Sequence, residues 1–366
     1  MPVYIIADNI VSPLGNTTGE NFDALVQGQS GIQLHNIPAI HNQPFYASLL
    51  LNMEVEENSA YTRFERMLIH SITKAVNNSK VDITSTSTGL VIATTKGNIS
   101  LIESGNYPEQ KLPLYYSSGM VAAYFGNPNK PVVVSNACIS GLTALITGKR
   151  MIEAGHYKNV VVAGADAISA FVFSGFNAFQ AVSPAPCKPY DSQRNGVTLG
   201  EAAATIILSA QGDGIRLTGG AGSNDANHIS GPSRTGRELS IAMKKAMTDA
   251  GIGAGDVDFI SAHGTATLYN DEMEAKAITL AALQTVPVNS MKGYYGHTLG
   301  AAGILESVIA VQSMKTNTIL PTLGFRELGV SQPIAVSATL QNKKITHCLK
   351  TASGFGGCNA AVIFSN

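Results

Sequence analysis

Three residues far apart in the chain have the types and settings for acyl chemistry: Cys138, His263 and His297. Cys138 lies in PVVVSNACISGLTALITGKR, Pro131 to Arg150, which reads as a buried strand (Val132, Val133, Val134), a tight polar corner and a helix rich in Ala, Leu and Ile. A cysteine where a strand gives way to a helix meets unpaired backbone N–H groups and the positive end of the helix. Both favour thiolate over thiol, lower the pKa and make a nucleophile. A free cysteine packed as a small apolar residue would look the same in this stretch, so both readings stand on it alone. His263 opens HGTATLYNDEMEA directly after DFISA, and His297 lies in KGYYGHTLGAAG just ahead of a helix of small residues. α/β proteins keep their chemistry in such corners at the C-terminal ends of strands. One histidine there is more often structural than catalytic. Two of them with a helix-capping cysteine fit cysteine-based acyl transfer, thiol and imidazoles converging on one carbonyl.

Composition sets the frame that must position them. The 366 residues are 45% hydrophobic and 13% charged, with a formal net charge of −1. That is ample material for a large core, and it gives no support for nucleic acid or an anionic membrane as the main partner. Cys138, Cys187, Cys348 and Cys358 show no CxxC or other metal spacing, and a disulfide framework is not expected from them. Nucleotide motifs are missing: Gly148-Lys149 is followed by Arg150, and no GxGxxG opens a helix after a strand. The start, MPVYIIADNIVSPLGN, has no basic region ahead of its apolar run, which argues against a signal peptide. The apolar stretch Asn159 to Val182 is interrupted by Asp166, Ser169, Ser174 and Asn177, so no membrane span is expected and a cytoplasmic location is.

Taken in order, the chain alternates strands with helices. Val3 to Ala7 reads as a strand, Thr17 to Gln27 as a helix, 30–60 as irregular surface with short strands, Arg63 to Val76 as an amphipathic helix and Thr88 to Thr94 as a buried strand. Lys96 to Lys130 is a connection with one helix around Gly119 to Phe125. Past the Cys138 helix come strand Val160 to Gly164, a stretch crowded with Phe171, Phe173, Phe176 and Phe179, the loop Ser183 to Gly196, and strand Ala202 to Ser209. The second half repeats the theme. Strand Gly214 to Gly219, helix Arg237 to Ala250, strand Val257 to Ala262 and helix Asp271 to Ala282 precede strand Val286 to Asn289, helix Ala301 to Met314 and strands near Ile345 to Thr351 and Ala360 to Phe364. The pattern argues for an α/β architecture with buried sheets, and the Cys138 and Gly296 corners make a duplicated half plausible.

The motifs resemble those of the β-ketoacyl-[acyl carrier protein] synthases, decarboxylating condensing enzymes of the thiolase-like superfamily. The resemblance spans essentially the whole chain: IVSPLGNTTGENFDALVQGQSGI, SNACISGLTAL, KPYDSQRNGVTLGEAAA, HGTATLYNDEMEAKAI, SMKGYYGHTLGAAG and SGFGGCNAAVIF follow the family's order. It implies a thiolase-like fold of two βαβ-rich halves in αβαβα layers, 1–210 carrying the nucleophile and 211–366 the histidines. By the same resemblance Cys138 accepts the acyl group, while His263 and His297 hold the malonyl thioester and stabilise the enolate left by carbon dioxide. Phe355 is the gating aromatic and, with Cys138, an oxyanion-hole N–H. Lys292 is the active-site lysine with Glu306 as its carboxylate partner, and Thr265 and Thr267 bind the pantetheine arm. No metal or diffusible cofactor is implied. The substrates are acyl and malonyl thioesters on acyl carrier protein, and the assembly is a homodimer or a heterodimer with a related ketosynthase subunit.

Departures bear on this. The chain is short between Lys96 and Cys138, where the family builds cover for the acyl pocket, so the acyl-chain length stays undetermined and polyketide or polyene synthesis is as plausible as fatty-acid synthesis. Asn270 stands for a usual glycine, in what is expected to be a left-handed turn; Ala202 and Ala204 replace common glycines; Tyr294 and Tyr295 are bulky near the expected pantetheine entrance. A thiolase would use a second cysteine near the C-terminus and an asparagine motif where HGTAT stands. A chain-length-factor-like subunit would lack the nucleophile, and a Cys–His hydrolase would not need malonyl thioester. Acidic carrier proteins call for a basic patch, for which Arg63, Arg66, Lys188 and Arg194 are the candidates.

Overall fold

The protein is seen in a computed structural model that describes residues 1–51, 60–105, 107–226 and 231–366. Its first half contains strands β1 (Tyr4–Val11), β2 (Gln33–His35), β3 (Phe45–Ser48), β4 (Thr88–Ala93), β5 (Val132–Val134), β6 (Asn159–Asp166), β7 (Leu199–Gly200) and β8 (Ala202–Ser209). Its helices are α1 (Thr18–Val26), α2 (Arg63–Asn77), α3 (Leu114–Tyr124), α4 (Ser140–Glu153) and α5 (Ala170–Ala178). The second half supplies β9 (Arg216–Asn224), β10 (Phe259–Ser261), β11 (Val288–Asn289), β12 (Thr318–Ile319), β13 (Gln341–Asn342), β14 (His347–Gly354) and β15 (Cys358–Ser365). With them come α6 (Arg237–Ala250), α7 (Leu268–Leu280), α8 (Lys292–Tyr295) and α9 (Ala302–Thr316). The irregular stretch expected over 30–60 holds β2 and β3, and its residues 52–59 lie outside the described residues.

Ten strands form one sheet in the order β11-β10-β14-β15-β9-β1-β8-β6-β4-β5, while β2-β3-β7 and β12-β13 are small separate sheets. The large sheet divides at β1 and β9, which share a single antiparallel pair, Tyr4 with Arg216. From that seam the first leaf runs β1-β8-β6-β4-β5 and the second β9-β15-β14-β10-β11. Each begins antiparallel and ends parallel, so the two leaves share one topology.

Helices α4 and α9 pack between the leaves; α2 covers the outer face of the first leaf, and α6, with α7 against it, covers the second. The result is an αβαβα stack. Sequence explains which helix goes where. In α9 residues from Ala302 to Val311 are all buried, and apart from Glu306 and Ser307 all are apolar or glycine, as a helix enclosed on every side requires. Helix α2 is apolar on one stripe only (Phe64, Met67, Leu68, Ile72), and a reciprocal capping box of Thr62 and Glu65 starts it. One expectation fails: Val132 to Val134 are half-buried, because β5 ends the sheet and pairs only with β4.

The central helices touch backbone to backbone. A Cβ on Gly141 would lie 2.7 Å from Ile304 N, and one on Gly303 would lie 2.5 Å from Leu142 N. Gly303→Ala is therefore expected to destabilise the protein by about 1–3 kcal/mol through overpacking. This outweighs the ~1 kcal/mol that alanine gains over glycine inside a helix. Urea denaturation reads the change, and an unmoved midpoint would show slack at the crossing.

Candidate active site

Cys138 is set by a strained corner. Ala137, just before it, has φ 44°, a left-handed conformation costly for a residue with a Cβ. Ser140 fixes that turn, its Oγ accepting from Asn136 N–H (2.8 Å) and donating to Ala137 O (2.6 Å). The glycine turn after β14 closes on the same corner: a Cβ on Gly354 would meet Cys138 N at 3.0 Å and Cys358 Sγ at 2.9 Å. Among the described residues neither the Cys138 nor the Phe355 backbone N–H donates to a protein acceptor. Two free donors beside a thiol are the elements of an oxyanion hole.

The histidines come from two further corners. His263 leaves the end of β10 in a turn where Gly264 has φ 43° and Ala266 φ 62°. Carboxylates of α7 hold that turn. Glu274 accepts from His263 N–H (2.9 Å), Gly264 N–H (2.8 Å), Tyr190 Oη (2.6 Å) and Thr351 Oγ1 (2.6 Å), while Asp271 accepts from Thr265 N–H at 2.9 Å. His297 is clamped against the strand end at 198–200, its N–H on Thr198 O (2.7 Å) and its carbonyl accepting from Gly200 N–H (3.0 Å). Asp166, at the end of β6, accepts from Gly300 N–H (2.7 Å) and Thr95 N–H (2.9 Å), tying the turn after His297 to the first leaf.

These corners meet on one cavity of about 370 Å³ lined by Cys138, His263, His297, Thr265, Thr267 and Phe355 among others. The imidazoles stand 5.2 Å apart, centre to centre, edge to face. Thr265 and Thr267 place their hydroxyls 2.9 Å from each other on the cavity wall. Phe355 is 38% exposed and stacks on Phe179 at 5.2 Å, with Phe176 between it and His297. Lys292 and Glu306 lie behind the histidines, fully enclosed. The Lys292 ammonium donates to Glu306 and to His263 O (3.1 Å), and Glu306 takes a second ammonium, Lys350, at 2.7 Å.

Burial, then the Lys292 ammonium, holds both imidazoles well below their ordinary pKa, with Lys350 adding to the effect. Both rings are thus neutral and able to donate one N–H each. Burial also pushes the Cys138 thiol up to about 12, reinforced by Cys358, and Lys292 and Lys96 offset only part of this. The expectation of a lowered cysteine pKa fails because Cys138 is buried and precedes the first helical residue, Ser140.

Other expectations also change. Asn270 is no left-handed turn; it sits in the first turn of α7, its N–H on the Thr267 cap. Tyr294 and Tyr295 are core residues, 0% and 1% exposed, and Tyr294 Oη reaches Pro321 O, away from any entrance. Two of the four candidates for a basic patch are engaged elsewhere: Arg63 is paired with Glu201, and Arg194 is buried on the carbonyls of Asp191 and Gly329. Sequence reasoning passed over Lys350, Glu274, Asp166 and Ser140. A lysine inside the apolar CLKTA run was the available signal for the first of them.

The stacked leaves, the cysteine corner and the paired histidines define an acyl-transfer enzyme of the thiolase-like fold. Residues 1–213 match the family described as Beta-ketoacyl synthase, N-terminal domain, and residues 216–326 match its C-terminal domain. The 3-oxoacyl-[acyl-carrier-protein] synthase 2 of Vibrio harveyi is 29% identical over 407 aligned positions, taking in 99% of this chain and 98% of that protein. A chain of the complex between the ketosynthase ApeO and its chain length factor ApeC from Xenorhabdus doucetiae aligns with a TM-score of 0.89 at 25% identity, covering 100% of this chain and 98% of that one. The ishigamide ketosynthase/chain length factor shares the fold at a TM-score of 0.92 and 24% identity, covering 100% and 99%. The chain belongs to the β-ketoacyl synthase family and is a condensing enzyme of the acyltransferase type.

A thiol held near 12 forms thiolate in proportion to hydroxide through the neutral range. Carbamidomethylation of Cys138, followed by mass spectrometry, should accelerate about tenfold per pH unit through the neutral and mildly alkaline range. A plateau already reached near neutral pH would show a standing thiolate and refute this assignment.

Proposed function

We propose that the chain is a 3-oxoacyl-[acyl carrier protein] synthase in which Cys138 carries the acyl group. The observation that carries this reading is the convergence of one buried thiol and two neutral imidazoles on one cavity. In the first step Cys138 sulfur attacks the thioester carbonyl of an acyl-carrier protein, and its proton leaves with the phosphopantetheine thiol. The Cys138 and Phe355 N–H groups stabilise the tetrahedral oxyanion. Malonyl-carrier protein then enters, and His263 and His297 each donate a hydrogen bond to its thioester oxygen. The bond from C2 to the carboxylate breaks, carbon dioxide leaves and the electron pair becomes the enolate. That carbon attacks the acyl carbonyl on Cys138, and the adduct expels the cysteine sulfur, which regains a proton. No separate cofactor enters the cycle.

Neutral imidazoles suit this better than cationic ones, since they need only donate to a developing oxyanion. In this reading 1–210 supplies the nucleophile, 211–366 supplies the enolate site, and Thr265 and Thr267 bind the pantetheine arm. The Phe355, Phe179 and Phe176 cluster gates the step between acylation and condensation. Lys188 and Arg66 remain the candidates for carrier-protein docking. The exposed edge of β5 is the seam of a dimer, with a second copy or a related ketosynthase subunit. The enzyme acts in the cytoplasm.

Intact-mass spectrometry with a panel of acyl-carrier proteins tests the reading. Wild type should gain the acyl mass and, on addition of malonyl-carrier protein, release a product two carbons longer. Cys138→Ala should gain no mass, and His297→Ala should acylate yet extend at least about 10²-fold more slowly, as expected for loss of an oxyanion donor. Acylation that persists in Cys138→Ala would sink the nucleophile assignment.

A further inference from the structure

We propose that Lys350, on β14, is a positioning residue of the decarboxylation centre, acting on His263 through Ala262 O and Glu306 without touching substrate. The inference rests on the synthase reading above and adds a residue to its enolate site.

Lys350 is 0% exposed and sits between Leu349 and Thr351, opposite Ser261 of β10 and Val362 of β15. Taking an ammonium out of water costs several kcal/mol unless it is paired and its donors are filled, so an apolar residue would serve a plain strand better. Here two donors are filled, by Thr351 O at 2.7 Å and Ala262 O at 3.2 Å, and the charge is paired with Glu306 Oε2 at 2.7 Å. Ala262 is the residue before His263. The next carbonyl, His263 O, is held by Lys292, whose ammonium also takes the other oxygen of Glu306. Two successive carbonyls are therefore each gripped by an ammonium, and one carboxylate bridges the two cations. Glu274 holds the amides of His263 and Gly264 and is joined to the same strand by Thr351 Oγ1. Removing Lys350 releases one grip and leaves Glu306 shared with Lys292 alone.

The charged and titratable groups around Lys350 are Glu306 from α9, Lys292 from α8, Glu274 from α7 with Tyr190 bonded to it, His263 beyond β10, and His297 after α8. Both cations oppose protonation of the imidazoles. Loss of one allows the rings to take up protons at higher pH, where they cease to be neutral donors. The acid limb of malonyl decarboxylation must then move to higher pH. Acylation of Cys138 needs neither histidine to hold malonyl thioester, so that half-reaction serves as an internal control.

The test uses the full chain with Lys350→Met, which removes charge and donors, and Lys350→Gln, which keeps donors without charge. Cys138 acylation is followed by intact mass, and carbon dioxide release from malonyl-carrier protein is followed across pH. Lys350→Met should acylate at near the wild-type rate while the decarboxylation kcat falls by up to about 10²-fold, the scale of a small misplacement. KM should be little changed, and the acid limb should shift upward. Lys350→Gln should recover part of kcat but keep the shifted limb, and it carries the same test should Lys350→Met fail to fold. Wild-type kinetics with an unmoved limb, or equal loss in both half-reactions with no shift, would overturn the proposal. A wild type that acylates but neither decarboxylates nor extends would instead sink the synthase reading, and the role of Lys350 with it.

Discussion

The site depends on a cluster of charges shut away from water. Lys292, Glu306 and Lys350 come from a short helix, a core helix and a central strand, and all are essentially unexposed. Each would be costly alone, and together they pair as ions while the two ammoniums also hold the carbonyls of Ala262 and His263. Geometry and electrostatics here have one source. The ammoniums that fix the backbone of the His263 corner also disfavour any further positive charge, so the imidazoles above them stay neutral donors.

Around this cluster the two leaves bring together residues that neither half holds alone. The first leaf delivers Cys138 at the head of α4, and the second delivers His263 and the turn bearing Phe355. Between the leaves α4 crosses α9 at Gly141 and Gly303, with no side chain between the backbones. Asp166 reaches from the first leaf to Gly300 and holds the turn after His297 to it. The cavity is thus a product of core packing, lined from both leaves.

The cysteine shows the same logic from the other side. Its corner offers two unengaged N–H groups to a developing oxyanion, yet burial keeps the resting thiol protonated. Acyl transfer on such a site draws on stabilisation that exists only once substrate arrives, which favours the transition state over the free enzyme. Phe355, in the glycine turn that closes on this corner, stacks its ring on Phe179, and both rings line the cavity that Cys138 opens onto.

Local sequence by itself determined the alternation of strands and helices, because apolar periodicity and capping residues act within a few positions. It also determined the three corners, because the glycines, the small residues and the Cys and His types in them have few other uses. Position in the stack was decided only by tertiary structure. Val132 to Val134 read as buried yet form the sheet's edge, and Tyr294 and Tyr295 fill the core instead of an entrance. Arg63 and Arg194 read as free surface charges but are consumed by Glu201 and by backbone carbonyls far away in sequence. The cysteine pKa and the second lysine on Glu306 belong to this class too. Both depend on desolvation and on charges brought from distant segments, quantities that no stretch of residues carries until the chain has folded around it.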